Sequence, residues 1–166
     1  MRTDLIFKLM LLLIFFGATN APAIEFFAET DRDQPLEITS HTLEVFQEQQ
    51  KSVFIGDVVA EQGEMTLYTD RLTVIFDGQN DVRRIEADGA VRIEDPLRNA
   101  RGDRAVLDRD EDTLILSGNA EVVQGDNRIS GDEITLFIGQ NRSLVRSNDS
   151  GRVRAVILPE KKSGTP

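Results

Sequence analysis

GDVVAEQGEMTLYTDRLTVIF (56–76) and GNAEVVQGDNRISGDEITLFI (118–138) carry Gly, Gln-Gly, Asp and Thr in step. The same fourteen-position interval runs from Gly56 to Asp70, from Gly89 to Asp103 and from Gly118 to Asp132, with apolar alternation on both sides. A half copy, LEITSHTLEVF (36–46), precedes them. Self-similarity at a fixed spacing marks one structural unit used repeatedly, and the alternation makes that unit a pair of strands.

Within each copy the apolar positions change parity at the Asp. Leu67 falls on one count, and Leu72, Val74 and Phe76 on the other. Ile129 stands in the same way against Ile134, Leu136 and Ile138, and Ile38 against Leu43 and Val45 around His41. Strand side chains alternate faces with period two, so a straight strand cannot keep both sets on one side. Each strand is expected to bulge or bend there, turning a sheet corner. Four such corners predict sheets curled around a shared apolar interior, where function should lie.

Turn chemistry separates the β-rich runs: Gln62-Gly63, Asp77-Gly78, Asp95-Pro96, Asp110-Glu111-Asp112, Gln124-Gly125 and Asn148-Asp149-Ser150-Gly151. No window outside the first residues holds a helical apolar stripe. The pattern predicts an all-β sandwich or jelly roll with twisted antiparallel strands. Following the parity, the inward set is Leu36, Ile38, Leu43, Val45, Phe54, Val58, Ala60, Leu67, Leu72, Val74, Phe76, Ile85, Val91, Ile93, Leu107, Leu114, Leu116, Val122, Ile129, Ile134, Leu136 and Ile138. Such residues can fill a dry core or line a groove, and alternation alone does not separate the two.

Residues 1–23 read as a removable export signal: Arg2 and Lys8, a wholly apolar Leu9 to Phe16, then Ala21-Pro22-Ala23 for cleavage. That apolar run is short of the roughly 20 residues a bilayer span needs. An N-terminal arm (24–34) with Phe26 and Phe27, one β domain (35–159) and a polar tail (160–166) complete the expected organisation. Val153, Ala155 and Ile157 form a last alternating strand that Pro159 ends.

Cysteine is absent, which excludes disulfides, lipoprotein attachment and thiolate metal sites. The formal charge of −10 becomes −11 once the leader's Arg2, Lys8 and Asp4 are gone. An acidic surface argues against nucleic acid, whose affinity comes largely from phosphate neutralisation. It also argues against adhesion to an anionic membrane.

Catalytic signals are missing. His41, the single histidine, has no Cys, Ser or carboxylate at triad or metal-ligand spacing and reads as structural or solvated. Asp70, Asp103 and Asp132 could be imagined converging as acid and base, or on a cation. Their place at strand corners favours a structural role instead, accepting hydrogen bonds from backbone N–H groups that a bulge frees. Gly56, Gly89 and Gly118 lie inside strands and mark bulges or close approaches. Arg83-Arg84 and the set Arg98, Arg101 and Arg104 fit solvated strand faces. No GxSxG, HExxH, P-loop or EF-hand pattern occurs. Neither enzymatic activity nor a metal or cofactor is expected.

DQPLEITS (33–40), VFIGDVVAEQGEMTLYTDRL (53–72), LSGNAEVVQGDNRISGDEITL (116–136) and RVRAVILP (152–159), together with the exported start, resemble the LptA-type, OstA-like family of periplasmic lipopolysaccharide transport proteins. The resemblance covers about residues 33–159. It implies a twisted β jelly roll open at both ends, whose interior holds the acyl chains of lipid A. It further implies head-to-tail association of copies, and contact with inner-membrane and outer-membrane partners, in a bridge across the periplasm. The lipid-facing positions would then be Leu36, Ile38, Leu43, Val45, Phe54, Val58, Leu67, Leu72, Val74, Phe76, Ile93, Leu107, Leu116, Ile129, Ile134 and Leu136. The family usually has Asp in the first corner, where this chain has His41.

Two other readings stay open from the residues. One is an adaptor domain with a solid core that uses only its edges. The other is a carbohydrate-acting enzyme using two of the repeated aspartates. Within the family, the membrane-anchored inner-membrane partner shares the domain, and the mature N-terminus distinguishes it from an exported protein.

Overall fold

The computed structural model of the chain describes residues 34–140, 142–148 and 151–158. The leader at 1–23, the arm apart from Gln34, Pro159 and the tail at 160–166 lie outside the described residues.

Ten strands follow in chain order: β1 (Glu37–Thr39), β2 (Thr42–Phe46), β3 (Lys51–Gln62), β4 (Met65–Phe76), β5 (Val82–Asp95), β6 (Arg98–Asp108), β7 (Thr113–Gln124), β8 (Asn127–Phe137), β9 (Arg142–Arg146) and β10 (Arg154–Val156). Among the described residues the only helical turns are short 3-10 segments at Gln47–Gln49 and Ile138–Gln140. The all-β expectation holds.

All ten strands belong to one antiparallel sheet in which each long strand from β3 to β8 pairs with its sequence neighbour. β1 and β2 share one partner, β3, pairing with its 59–61 and 51–55 portions. β10 and β9 likewise share β8, along 128–130 and 133–137. Each edge is thus a long strand broken in two at the corner. The edges do not pair with each other, so the sheet is open.

Local chemistry sets the hairpins. Gly63 and Gly125 take positive φ (60° and 57°) in two-residue loops closed by the Gln62 and Met65 pair and the Gln124 and Asn127 pair. Asp95 Oδ1 accepts the Leu97 N–H at 2.8 Å in the loop that Pro96 begins. Asp77 Oδ1 does the same for Gln79 and Asp81, and Asp108 Oδ1 for Asp110 and Glu111.

The corners stand where the parity change predicts them, and the register shows how they are made. Ladder irregularities fall between Ile55 and Val58, Tyr68 and Arg71, Asp88 and Val91, Arg101 and Arg104, and Ser117 and Ala120. The extra residue belongs to β3, β5 and β7. There Gly56-Asp57, Gly89-Ala90 and Gly118-Asn119 are left-handed in pairs, with φ of 85° and 45°, 87° and 44°, 73° and 50°. Opposite them, β4, β6 and β8 turn two consecutive residues outward at Asp70-Arg71, Asp103-Arg104 and Asp132-Glu133. One extra residue on β3, β5 or β7, two unpaired against one or three against two, bends the whole sheet along a single line.

The bend brings the apolar faces of the two halves together. Val58, Leu72, Val74, Leu116, Ile134 and Leu136 are nearly or completely buried in this core. Each such side chain contributes about 1.5–3 kcal/mol of hydrophobic stabilisation.

Candidate functional site

The inner face is built from cross-strand rows. In one half of the sheet, successive partners read Ile38, Ala60, Leu67, Ile93, Ala100, Val122, Ile129 and Ala155, from β1 to β10 without a polar residue. In the other half, Leu43, Phe54, Leu72, Ala87, Ala105, Leu116, Ile134 and Val145 run from β2 to β9. A third row, Val45, Ser52, Val74, Ile85, Leu107, Leu114, Leu136 and Ser143, lies beside it. These rows cross the strands and reach both open edges.

Burial varies along them. Val58, Leu72, Val74, Ile93, Leu116, Ile134 and Leu136 are buried, and Leu36, Ile38, Phe54, Leu67, Phe76 and Leu107 pack against that core while partly exposed. Ile129 is half-buried. Leu43 and Val45 are 52% and 60% exposed, although their partners place them on the inner face. Among the described residues no further strand covers β2, and its apolar face is left exposed. At the opposite edge Val153, Ile157 and Leu158 are exposed in the same way.

Between the halves lies a cavity lined by Leu36, Ala60, Met65, Leu67 and Ile93 from one side and Leu72, Ile85, Ala87, Ala105, Leu107 and Leu114 from the other. Its volume of about 50 Å³ has room for only a few water molecules. Gln62 is the one polar side chain in the lining, and its Nε2 donates to the Gln34 carbonyl at 2.9 Å. The bond ties the chain ahead of β1 to the end of β3. The alanines on the rows were not among the sixteen positions read as lipid-facing. Ala87, Ala100 and Ala105 carry weak hydrophobicity; Ala87 and Ala105 share parity with Ile85 and Leu107, while Ala100 lies across the corner from Leu107.

The repeated carboxylates do not converge. Each reaches toward the next strand in sequence. A Cβ built on Gly89 meets Asp70, one on Gly118 meets Asp103, and one on Gly56 meets His41, which therefore fills the Asp position of the first corner. Asp103 Oδ2 accepts from Asn119 Nδ2 at 3.1 Å. Asp132 Oδ2 accepts from the Asn148 backbone N–H at 2.7 Å and from the Ser147 hydroxyl at 2.8 Å. These bonds, the backbone one first, hold the Asp132 carboxyl below the ordinary value of 3.8. The backbone bond expected at a corner aspartate is found at Asp132, while Asp103 takes a side-chain donor. His41 contributes its backbone N–H to the Gly56 carbonyl at 3.0 Å. No group of His, Cys, Asp and Glu among the described residues is arranged to hold a metal ion.

Arg84, Arg101 and Arg104 lie on the outer face among acids, whereas Arg98 departs from the solvated face expected of it: it shares the parity of Ala100 on the inner row, and its side chain is only 10% exposed, 4.0 Å from Asp95. Arg84 bridges Glu86 and Asp108 at 2.7 and 2.8 Å, Arg104 bridges Glu86 and Asp88 at 2.8 and 3.3 Å, and Arg101 meets Glu121 at 3.0 Å. The acids are partly buried and the arginine heads reach toward solvent, where screening keeps each pair's contribution small. They do neutralise one another, so Arg84, Arg101 and Arg104 form no free anion cradle.

An apolar interior therefore crosses an open, bent sheet. Residues 37–142 match the family described as LptA/(LptD N-terminal domain) LPS transport protein. The chain belongs to this family. Membership of a family of transport proteins also agrees with the expectation that the chain is not an enzyme. Similar curated proteins include the lipopolysaccharide export system protein LptA of Escherichia coli K12, 27% identical over 163 residues, covering 93% of this chain and 88% of that protein. The LptA of Haemophilus influenzae is 26% identical over 164 residues, covering 93% and 95%. Among solved structures, LptH, the LptA-homologous periplasmic component of the lipopolysaccharide transport device of Pseudomonas aeruginosa, superposes with a TM-score of 0.69 at 23% identity. It covers 78% of this chain and 99% of its own. That likeness supports the fold. Among the described residues no helix is long and apolar enough to cross a membrane.

Proposed function

We propose that this LPS transport family member works in the periplasm, holding the acyl chains of lipopolysaccharide against the inner rows and passing them from edge to edge. The observation that carries the reading is the continuity of those rows from Ile38 to Ala155 and from Leu43 to Val145. Each acyl CH₂ removed from water is worth about 0.8 kcal/mol, so a multi-chain lipid needs uninterrupted apolar contact along its route. A sheet open at both edges extends that route if copies, or related domains of membrane partners, add their own strands head to tail. The residues at 1–23 would act as a cleaved export signal, which sequencing of the mature N-terminus tests. A chain beginning near Ile24 is released, whereas an intact N-terminus marks the anchored relative.

The narrow cavity means that loading requires the halves of the sheet to part about their corner line. The same narrowness favours a second reading, an adaptor whose interior stays solid. Photo-crosslinking residues placed at Leu36, Ile38, Leu43 and Leu116 separate the two in cells making lipopolysaccharide. A conduit gives lipid adducts at Leu36, Ile38 and Leu43, and at the completely buried Leu116 only if the halves open. Absence of adducts at all four positions in folded protein leaves the adaptor.

A further inference from the structure

The two open edges differ sharply in charge. Residues 34–50, which contain β1 and β2, carry Glu37, Glu44 and Glu48 and no Lys or Arg. Residues 142–158, which contain β9 and β10, carry Arg142, Arg146, Arg152 and Arg154 against Asp149. All three glutamates and all four arginines are exposed. Glu37 also stands directly opposite Glu61 in the ladder, a like-charge pairing that costs stability when no cation intervenes. The acidic edge is thus left with charge that the described residues do not neutralise.

Six long strands separate the edges, so β10 runs antiparallel to the β1 of a following copy, and β9 to its β2. If the inner rows continue across that junction, Ala155 faces Ile38, Val145 faces Leu43 and Ser143 faces Val45 of the next copy. Counting outward from those pairs sets Leu144 opposite Glu44, with Arg142 and Arg146 as its two diagonal neighbours; Arg146 already pairs with Glu133 of its own copy at 3.1 Å, so Arg142 is the main cation offered there. It also sets Val156 opposite Glu37, with Arg154 on the diagonal. Diagonal cross-strand neighbours are within reach of long side chains. One register therefore satisfies the apolar inner face and the charged outer face together.

We propose that this charge pattern is a polarity code for a second copy of the chain. The acidic β1–β2 edge accepts the basic β9–β10 edge in that register, while acidic-to-acidic and basic-to-basic junctions are repelled. The inference rests on the end-to-end reading given above and adds what fixes its direction.

The test uses two charge-reversed variants of the mature protein, Glu37→Lys with Glu44→Lys, and Arg142→Glu with Arg154→Glu. Sedimentation at several salt concentrations reads self-association. The wild type should associate, more weakly as salt rises, and each variant alone should associate at least ~10-fold more weakly, because several exposed pairs are lost and replaced by repulsion. Mixing the two variants should restore association beyond a pair: the unaltered acidic edge of one joins the unaltered basic edge of the other, and further growth requires a lysine edge to meet a glutamate edge; the same result shows that both are folded. A Val45→Cys with Ser143→Cys variant of this cysteine-free chain should form disulfide-linked ladders, and Glu44→Cys with Ser143→Cys should not. A wild type that stays monomeric overturns the end-to-end reading itself. A wild type that associates while the variants do so equally, or whose variants are not rescued by mixing, overturns the charge code alone.

Discussion

Asp70 occupies the space that a side chain on Gly89 would need: a Cβ built on Gly89 comes within 2.9 Å of Asp70 Cβ. The contact joins β4 to β5, and Asp103 repeats it on Gly118 between β6 and β7. The fourteen-residue interval in sequence therefore links each glycine to the aspartate of its own hairpin, whereas the packing links each aspartate to the glycine of the next.

That packing predicts opposite outcomes at adjacent positions. Gly89→Ala introduces both a clash and an L residue at φ +87°, and should cost about 2–4 kcal/mol. Ala90, at φ 44°, already bears the strain of a left-handed backbone. Ala90→Gly should be neutral or stabilising by up to ~1 kcal/mol. Urea unfolding of the two variants gives the comparison, and equal effects would refute the corner geometry.

Burial separates structural from surface-facing positions on a single row. Leu116 is completely buried, so Leu116→Ala should cost about 2–5 kcal/mol. Leu43 on the same row is half exposed, and Leu43→Ser should change unfolding by under about 1 kcal/mol while lowering lipid capture at that edge. Unfolding midpoints and crosslinking yield, measured on the same preparations, check both.

Gln62 anchors the chain before β1. Replacing it with Met removes the donor to the Gln34 carbonyl and should cost about 1 kcal/mol. Amide exchange at Ile38 and Thr39 should quicken more than exchange in β6 or β7, because the anchor acts locally. Uniform acceleration would mean that Gln62 supports the whole core instead.

Acid should weaken the fold in a defined direction. The Asp132 carboxyl is held below 3.8 by the Asn148 N–H and the Ser147 hydroxyl, and Asp108 is lowered first by the Glu111 N–H, with further help from Asp110 and Arg84. A carboxyl with a depressed folded value stabilises fully above the unfolded value, and loses that contribution as pH falls through the folded one. Stability should therefore decline as pH drops below about 4. Asp132→Asn should flatten part of that decline and be slightly less stable than the wild type at pH 7. Denaturant midpoints between pH 7 and pH 2 test the sign.

Much of this was legible in the chain because strand geometry is local. Period-two alternation exposes which residues share a face, so Leu72, Leu116 and Ile134 could be read as inward from their own segments. The parity change marked each corner for the same reason. Ala60 was read as inward, but Ala87, Ala100 and Ala105 escaped because a methyl group adds little to an apolar pattern, although Ala87 and Ala105 line the cavity. The exposure of Leu43 and Val45 escaped too, since it depends on β2 being an edge strand.

The sequence by itself determined the strand pairs, the corner positions, the inward residues and the uneven charge of the two ends, all properties of backbone period and composition. Only the tertiary structure decided which strand carries the extra residue, which glycine each aspartate covers, how tightly the halves close and which apolar residues are left at the rims. Those depend on register between segments far apart in the chain, and register is fixed by packing across the sheet rather than by any one strand's own residues.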